Sequence, residues 1–357
     1  MDRVSASTFR LNRRDFGRLL LAGGAGVAVA RTPLRAFAQQ ASPVASPVAG
    51  TKIVLATGFF PNVQFAPYYV AADNGYYAEA GLDVTFQDGP GADLLQQVGA
   101  GKIDFLIGGG DSLTLGKASG IPATYVMAQL QKYPVGALAL ANSGVTLKTP
   151  ADLKGKKIGV SAPNGSTYIG LLALLQAGNL TLDDVEVISI GFTEVEALQQ
   201  KQVDAAMTFI TNEPVQVKAM GIDVQVLPVA DFVNLVSTGL VTSDDHVKND
   251  PDLVQAMVSA TLRGLQATLA DPDAAFAASL KRLPEIAGDA TQEKIQRDVL
   301  DATLAFEQKP EGHPFGWSDP VAWQHTADLL LQVAMIDHAV DPTTLYTNRF
   351  AEAANIT

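Results

Sequence analysis

The chain has 357 residues, of which 47% are hydrophobic and 17% are charged, so low-complexity disorder is excluded for most of its length. Its net charge is −12, and a protein this acidic lacks the basic face that a nucleic-acid partner requires. There is no cysteine, which excludes disulfides, thiolate metal sites, iron–sulfur clusters, a cysteine nucleophile and a lipidated cysteine anchor.

The first 38 residues have the character of an export signal. They hold seven arginines, including the Arg13-Arg14 pair, against two acidic residues, and the remainder of the chain carries a net charge of −17. The apolar run Leu19–Ala30 is too short to span a hydrocarbon core of ~30 Å, and Ala36-Phe37-Ala38 matches a small-x-small cleavage site. We therefore predict a twin-arginine signal over 1–38, whether cleaved or retained, that places the mature chain on the periplasmic or cell-surface side. A basic amphipathic segment of the mature fold is the alternative.

Residues 39–50 repeat the tetrapeptide Ala-Ser-Pro-Val. Proline interrupts both helix and ladder hydrogen bonding, and the small residues beside it bring little to bury. We predict a spacer here. After Thr51 no apolar run is long enough for a transmembrane helix.

From Thr51 onward, short apolar β-rich runs alternate with helical stretches, which is typical of parallel sheets covered by helices. The first set has predicted strands at 53–56, 83–86, 105–107, 123–128 and 137–141, and predicted helices at 66–72 and 92–100. The second set has predicted strands at 157–160, 185–190, 205–207 and 224–227, and predicted helices at 166–176, 194–200 and 214–220. Two sets predict two α/β lobes, lobe 1 from 51–142 plus 236–357 and lobe 2 from 143–235.

The chain beyond Asp250 has helical spacing. Asp250 and Asp271 each precede a proline, which predicts a capping aspartate with proline at the first helical position. A stripe of apolar residues then recurs at helical intervals and indicates a core face: Val254, Val258, Leu262, Leu265 and Leu269. We expect these helices to complete lobe 1.

Motifs of catalysis and metal binding are missing from the sequence. The four histidines form no H-E-x-x-H or other close metal pair: they are His246, His313, His325 and His338. No G-x-S-x-G elbow occurs, and the phosphate-loop pattern fails because Ala118 follows Gly116-Lys117. We expect no enzyme activity, no metal and no cofactor.

Four loops that follow predicted strands carry the side chains best suited to a small ligand, which binds beyond the carboxyl ends of strands in open α/β sheets. Five of the thirteen residues in 57–69 are aromatic, which predicts a platform for a flat ligand, although core packing explains some of these rings. Two loops per set predict a polar cleft between the lobes, with helix capping as the alternative for single residues. The candidate ligand-binding residues are Phe59, Asn62, Gln64, Phe65, Tyr69, Asp111, Ser112, Asn164, Ser166, Thr167, Tyr168, Thr208, Asn212 and Glu213.

Five motifs in this order resemble the solute-binding proteins of ABC importers that are related to sulfonate binders and thiamine-pyrimidine synthase. They are Phe60-Pro61-Asn62 with Tyr69-Val70-Ala71, and the runs 74–84, 99–105, 149–160 and 202–206. The resemblance implies a class II periplasmic-binding-protein clamshell with C-terminal helices, which closes on a small solute as a monomer and delivers it to a membrane permease.

Within that family, residues 61–69 together with Asn212-Glu213-Pro214 are most similar to predicted riboflavin-binding members. The resemblance implies stacking on Phe59, Phe65 and Tyr69, with the polar loop residues reading the ring edge and the ribityl hydroxyls. The fungal synthase branch has a reacting histidine where this chain has Phe65, and it carries a cysteine-rich motif that is absent here. The same receptor role for a thiamine pyrimidine precursor or an aliphatic sulfonate stays open, as does an exported enzyme acting on a heterocycle.

Overall fold

The computed structural model describes residues 50–89, 93–163 and 165–356. The predicted signal peptide, nearly all of the predicted spacer and the candidate residue Asn164 lie outside the described residues. Among the described residues, no helix combines the length and the apolar character needed to cross a bilayer.

Strands and helices alternate through the first half of the described chain, and helices dominate the second half. The strands are β1 Thr51–Ala56, β2 Leu82–Gln87, β3 Phe105–Gly109, β4 Ala123–Ala128, β5 Val135–Leu140, β6 Lys157–Val160, β7 Glu186–Ser189, β8 Ala205–Phe209, β9 Val224–Pro228 and β10 Thr238–Ser243. The helices are α1 Ala66–Asp73, α2 Tyr76–Glu79, α3 Leu94–Gly99, α4 Gly110–Ala118, α5 Ser166–Ala177, α6 Glu194–Gln199, α7 Glu213–Ala219, α8 Asp244–Asn249, α9 Pro251–Ala270, α10 Pro272–Leu280, α11 Ala290–Leu304, α12 Pro320–Gln332 and α13 Arg349–Ala354.

The first sheet has the order β2-β1-β3-β10-β4. β1 runs parallel to β2 and β3, as the alternating pattern predicts. β10 is antiparallel to both β3 and β4, and its residues were not predicted as a strand. The sheet is therefore mixed. β10 follows β9 of the second sheet along the chain, so it joins the first sheet through a crossover segment and not through a helix packed on the first sheet.

The second sheet repeats this plan with the order β7-β6-β8-β5-β9. β6 is parallel to β7 and β8, whereas β5 is antiparallel to β8 and β9. The predicted strand at 137–141 corresponds to β5, so its assignment to lobe 1 and a boundary near 142 are wrong for this strand. All six residues of β5 are buried, and a uniformly apolar run carries no information about which sheet it joins.

Two crossover segments connect the sheets: residues 129–134 lead from β4 to β5, and residues 229–237 lead from β9 to β10. They are hydrogen-bonded near their first-sheet ends. The amides of Gln129 and Leu130 each donate to the Thr238 carbonyl at 3.1 Å, and the Ser237 hydroxyl donates to the Lys132 carbonyl at 2.9 Å. The connection between the sheets is thus a paired strap rather than two independent linkers.

The long helix α9 covers the first sheet with the predicted apolar stripe. Val254, Val258, Leu262 and Leu265 are fully buried in one cluster with Ile53, Leu55 and Phe105, and Leu269 is partly buried. The Asp271 side chain caps α10 by accepting from the Ala274 amide at 3.0 Å. The predicted cap at Asp250 is absent, because that side chain makes no capping hydrogen bond.

The C-terminal helices do not serve the first sheet alone. On α12, Trp323 packs in a cluster with Leu113 and Val241 of the first-sheet layer. Leu329 and Leu330 of the same helix pack with residues of the second-sheet core. This helix therefore spans both cores, which the apolar stripe of α9 by itself did not predict.

Gly264 on α9 allows close approach to α1. A Cβ atom placed there would overlap the Pro67 carbonyl oxygen and lie 2.8 Å from the Ala71 Cβ. Because the first neighbour is backbone, neither side can yield by a change of rotamer. We expect Gly264→Ala to lower the free energy of unfolding by about 1–3 kcal/mol, measured by urea denaturation.

Ser259→Ala on the same helix is the matched control, since it removes a partly buried hydroxyl that accepts one hydrogen bond from Gln255. It should cost less than about 1 kcal/mol. Equal effects from the two substitutions would contradict the close packing of α9 on α1.

Candidate functional site

Loops at the carboxyl ends of strands from the two sheets meet each other. Three contacts define the meeting: Gln64 Nε2 donates to Thr211 Oγ1 at 2.7 Å, Ser166 Oγ donates to Asp111 Oδ1 at 3.0 Å, and the Phe59 and Phe192 rings lie 5.4 Å apart. Each contact joins a loop of the first sheet to a loop of the second. We call the loops that make these contacts, together with the helix starts that follow them, the cleft loops.

The loop after β1 is held in place by its own polar side chains. Asn62 accepts from the Gln64 amide at 3.0 Å and so begins a short 3-10 turn over Val63–Phe65. Gln129 Nε2 in the first crossover donates to the Gln64 carbonyl at 2.9 Å. The Gln64 side chain is thereby directed to the second sheet, while Asn62 is largely committed to the loop itself.

The predicted aromatic platform is divided between core and cleft. Phe65 and Tyr69 are buried with ring centroids 6.3 Å apart, and Tyr69 also meets Phe86 edge-on at 5.3 Å. Burial raises the pKa of Tyr69, which stays a neutral phenol. Phe59 is partly exposed, so among these predicted stacking residues it presents the most accessible ring.

Asp111 is the second residue of α4 and is completely buried between the two sheets. Its carboxylate accepts from the Tyr133 hydroxyl at 2.6 Å, the Ser166 hydroxyl at 3.0 Å and the Ser112 amide at 2.6 Å. The Tyr133 hydroxyl also lies 2.8 Å from the Ser166 carbonyl. We call Asp111, Tyr133 and Ser166 the clasp, since they join the first sheet, the crossover and the second sheet.

Burial raises the pKa of the Asp111 carboxyl, and the hydrogen bonds from Tyr133, Ser166 and Ser112 oppose that effect. Both carboxyl oxygens of Asp111 accept hydrogen bonds from protein donors, so we interpret Asp111 as the residue that positions the loops after β3 and β6. Ser112 is partly buried, and its amide serves the same carboxylate.

Hydroxyl groups lie around the start of α5, the helix that follows β6 of the second sheet. Thr167 Oγ1 accepts from the Ser161 amide at 3.2 Å, and Ser161 Oγ donates to Glu194 Oε1 at 2.8 Å. Tyr168 is partly buried against the second-sheet core. Thr208, at the end of β8, is buried and its hydroxyl has no partner within the described residues.

Asn212 and Glu213 form a hydrogen-bonded pair at the start of α7. Asn212 Nδ2 donates to Glu213 Oε1 at 2.8 Å, and the Phe209 amide donates to Glu213 Oε2 at 3.0 Å. Burial, followed by the charge of Glu194, raises the pKa of Glu213 to about 7. Burial also raises the pKa of Glu194. The second sheet thus presents two acidic groups, and at least one of them, Glu213, gains or loses its proton near neutral pH.

Several residues at the site had no prediction from the sequence. Glu194 and Tyr133 escaped because charge on a short helix and an aromatic residue in a connector are both ordinary surface and packing patterns. Phe192 could have been found, since it follows a strand of the second set just as Phe59 follows one of the first. The rule that singled out the loop after β1 applies equally to the loop after β7.

A buried acid in the C-terminal segment supports the first cleft loop. Gln129 Nε2, which holds the Gln64 carbonyl, also donates to Glu307 Oε1 at 2.8 Å. Glu307 is 1% exposed, and burial raises its pKa to about 8. The protonated carboxyl of Glu307, beyond α11, is therefore linked by hydrogen bonds through Gln129 to the loop after β1.

The side chains of the cleft loops are phenyl rings, hydroxyls, amides and carboxyls, with no lysine or arginine among those described. Within the part of the chain that the structure describes, no group of three histidine, aspartate or glutamate side chains is arranged to hold a metal ion. This chemistry suits a neutral ligand with a flat apolar part and a polar edge better than a phosphate or a sulfonate.

The clasp yields a test of how strongly the sheets are joined. Tyr133→Phe removes the hydroxyl that donates to the buried carboxylate, and a hydrogen bond to a charged group is worth about 1.5–3 kcal/mol. We expect a loss of that size in the free energy of unfolding by urea. Tyr346→Phe should cost less than about 0.5 kcal/mol, because the Tyr346 ring stacks on Trp323 and its hydroxyl makes no hydrogen bond within the described residues. Similar values for both variants would contradict the clasp.

The buried acid Glu307 predicts a pH dependence of stability. Its folded-state pKa of about 8 exceeds its ordinary value of 4.5, so the folded chain binds the proton more tightly than the unfolded chain does. This contribution is complete at low pH and is lost as the pH rises through about 8. Between about pH 5 and about pH 8 the unfolding free energy should fall by up to ~1.4 kcal/mol per pH unit from this group.

Urea denaturation across that range should give a flatter profile for Glu307→Gln than for the wild type. Glu213 has the same sign with its pKa near 7, so some slope should remain. Glu311→Gln, at an exposed position of the same segment, is the control and should keep the wild-type slope. An unchanged slope in Glu307→Gln would refute the prediction.

Comparisons of the sequence place this chain in a family. The family model described as "NMT1/THI5 like" matches residues 62–275. The riboflavin-binding protein RibY of Chloroflexus aurantiacus is 36% identical over 325 residues, covering 89% of this chain and 91% of RibY. A 4-amino-5-hydroxymethyl-2-methylpyrimidine phosphate synthase of Legionella pneumophila is 23% identical over 306 residues, covering 84% of this chain and 92% of the synthase.

The fold has a solved counterpart in the periplasmic aliphatic sulphonate binding protein SsuA from Escherichia coli. The two structures agree with a TM-score of 0.63 at 18% identity, over 83% of this chain and 91% of SsuA. The predicted fold class, an α/β periplasmic-binding-protein architecture with C-terminal helices, is confirmed. From the family match and the similarity to RibY along most of both chains, this protein belongs to the NMT1/THI5-like family.

Proposed function

We propose that this protein is an extracytoplasmic solute receptor of an ABC importer that captures riboflavin between its two sheets and delivers it to a membrane permease. The observation that carries the proposal is the composition of the cleft loops, which combine accessible phenyl rings with a buried amide and carboxyl pair and contain no cationic side chain. The similarity to RibY supports riboflavin as the ligand.

The chemistry of riboflavin matches both parts of the site. Its isoalloxazine ring is flat and apolar at the dimethylbenzene end, while its pyrimidine end has an N–H donor and carbonyl acceptors. Each Glu213 oxygen already accepts one protein hydrogen bond, but this carboxyl, unlike that of Asp111, is partly exposed. The remaining lone pairs of Glu213 and the second amide hydrogen of Asn212 would offer acceptors and a donor to such an edge. The unpartnered hydroxyl of Thr208 lies at the end of the strand that leads to this pair.

The remaining candidates divide into two roles. We assign Gln64, Thr167 and Ser112 to the ribityl hydroxyls, and Phe59 to the ring face. The clasp residues Asp111 and Ser166 position the loops, and Phe65 and Tyr69 support Phe59 from the core. Asn164 and Tyr168 complete the proposed set in the loop and first turn of α5.

In this proposal the two sheets belong to two lobes that move as a clamshell about the paired crossovers. The strap formed by 129–134 and 229–237 is the only chain connection between β1–β4 and β6–β9 along the described sequence. Motion about such a strap would open and close the cleft loops on a ligand. We propose that the receptor acts as a monomer, exported by the signal in residues 1–38.

A second candidate ligand is a thiamine pyrimidine precursor. The Asn212–Glu213 pair would read the edge of an aminopyrimidine as well as that of a flavin, and a relative is named as a pyrimidine phosphate synthase. We propose a receptor rather than such an enzyme because the described cleft loops contain no histidine or cysteine to act as nucleophile or base.

The direct test is a titration of the chain, purified without added ligand, with riboflavin while flavin fluorescence is followed. We expect quenching that saturates near one equivalent at micromolar protein. Glu213→Gln should weaken binding by about tenfold or more, because a hydrogen bond to a charged or acidic group is lost. Glu196→Gln, exposed on the neighbouring helix α6, is the control and should bind as the wild type does.

Absence of quenching would overturn riboflavin as the ligand. A thermal shift from an aminopyrimidine in that case would keep the receptor role and select the second candidate. Turnover of any of these heterocycles by the purified chain would instead make the protein an enzyme.

A further inference from the structure

Three phenylalanines from loops of different sheets make ring contacts with one another. Phe192 lies 5.4 Å from Phe59 and 6.4 Å from Phe60, and Phe59 lies 5.5 Å from Phe60, all in edge-to-face geometry. Phe59 and Phe60 follow β1 of the first sheet, while Phe192 lies between β7 and α6 of the second. We call these three rings the aromatic cluster.

The cluster is exposed to an extent that ordinary core packing does not explain. Phe60 is 52% exposed and Phe192 is 55% exposed. A single exposed phenylalanine needs no explanation, but three that meet across two sheets form an apolar patch at a place where a ligand would enter.

Both loops hold their rings out by the same local device. Gly58, with φ of +71°, precedes Phe59, and Gly191, with φ of +62°, precedes Phe192. The turn at Phe59 is fixed by the Thr57 hydroxyl and the Gly89 amide, which both donate to the Phe59 carbonyl at 2.8 Å. The turn at Phe192 is closed by Thr193 Oγ1, which donates to the Ile190 carbonyl at 2.7 Å. Neither ring is on a loosely tethered loop.

Polarity changes sharply within two residues of Phe192. Glu194 is 6% exposed, accepts from Ser161, and lies close enough to Glu213 for its charge to raise that pKa. The second sheet therefore offers an exposed ring and, two residues further along the chain, a buried acidic group whose charge acts on a second one. A ligand that fits this gradient is flat, apolar at its outer end and polar at its inner end.

From this arrangement we infer that Phe192 and Phe59 form the two faces of an aromatic clamp that selects ligands with a fused, multi-ring system. The inference rests on the proposed function and deepens it by naming what the site requires of its ligand. A ring held between two phenyl faces needs about 3.5–4 Å on each side. The two phenyl planes must therefore lie about 7–8 Å apart when a ligand ring is between them. The Phe59 and Phe192 centroids are now 5.4 Å apart with an interplanar angle of 69°. Entry of a ligand thus requires the loops to open by about 2 Å and the two rings to turn toward parallel.

A one-ring pyrimidine bound by the Asn212–Glu213 pair would have no second ring to place in the clamp. The clamp therefore predicts selectivity and not only affinity. The same exposed rings could contact a protein partner such as the permease, but they contact one another edge to face across the two sheets, where the cleft loops meet, which favours a ligand between them.

The test compares Phe192→Ala and Phe192→Leu with the wild type in calorimetric titrations of the full chain. The probes are riboflavin and 4-amino-5-hydroxymethyl-2-methylpyrimidine. Loss of one aromatic face should weaken riboflavin binding about threefold to tenfold in Phe192→Ala, with a smaller loss in Phe192→Leu. Binding of the one-ring pyrimidine, where the wild type binds it, should change less than about twofold.

Leu182→Ala is the matched control, because Leu182 is 43% exposed on the second-sheet side and precedes β7, at the opposite end of that strand from Phe192. It should leave riboflavin affinity unchanged, and thermal melting checks that each variant is folded.

If the wild type binds riboflavin and both Phe192 variants bind it as tightly as the wild type does, the clamp is wrong while the proposed function stands. Equal weakening of both probes would also overturn the clamp, since it would indicate a general effect on closure. If the wild type does not bind riboflavin, the proposed function fails first, and the clamp fails with it.

Discussion

The buried carboxylate of Asp111 is the constraint on which the arrangement of the cleft depends. An isolated carboxylate without water is very costly, so the chain must surround it with donors. Those donors come from three places: its own helix start, the first turn of α5 in the second sheet and Tyr133 in the crossover. Satisfying one carboxylate therefore fixes the positions of a first-sheet loop, a second-sheet loop and the strap between them. A chain that left any of the three donors out of place would bury the Asp111 carboxyl with a hydrogen bond missing, so the hydrogen-bonding requirement of this buried group favours the arrangement in which the loops meet.

Because Asp111 is used in this way, the chemistry that faces a ligand is divided unequally. In the proposed site the first sheet contributes Phe59 and Gln64, and the second contributes Phe192, Glu194, Glu213 and Thr208. Each sheet thus offers a ring and a polar group, but the acidic groups lie on the second sheet alone. A flat heterocycle requires both kinds of group, since its face and its edge point in perpendicular directions. Burial raises the pKa of Glu194 and Glu213, that of Glu213 to about 7, so Glu213 can present a donor or an acceptor near neutral pH without a cationic residue.

The sequence predicted most of the fold and the neighbourhood of the site, and its errors have physical causes. Regular alternation located β1 to β4 and β6 to β9. It missed β10, whose Thr-Gly-Leu-Val-Thr-Ser sequence has no clean period, and it could not tell that the wholly apolar β5 pairs with the second sheet. At the site it found the loops but not the roles. Asp111 and Ser166 looked like ligand contacts, yet the structure pairs them with each other. Tyr69 looked like a stacking ring and lies in the core. Contacts between residues far apart in the chain, such as Gln64 with Thr211, leave no local pattern to detect.

The C-terminal segment beyond the family match is also connected to the cleft loops. The family match ends at residue 275, whereas Glu307 lies beyond it and is bound through Gln129 to the carbonyl of Gln64. Gln131 in the same crossover donates its amide to the Phe306 carbonyl at 2.7 Å. The C-terminal segment thus holds both the strap and the first cleft loop, and it does so with a carboxyl that burial keeps protonated up to about pH 8. Two of the six residues of the first crossover, Gln129 and Gln131, are therefore bound to neighbouring residues of the segment after α11, so the same hydrogen bonds fix the position of the crossover and of that segment.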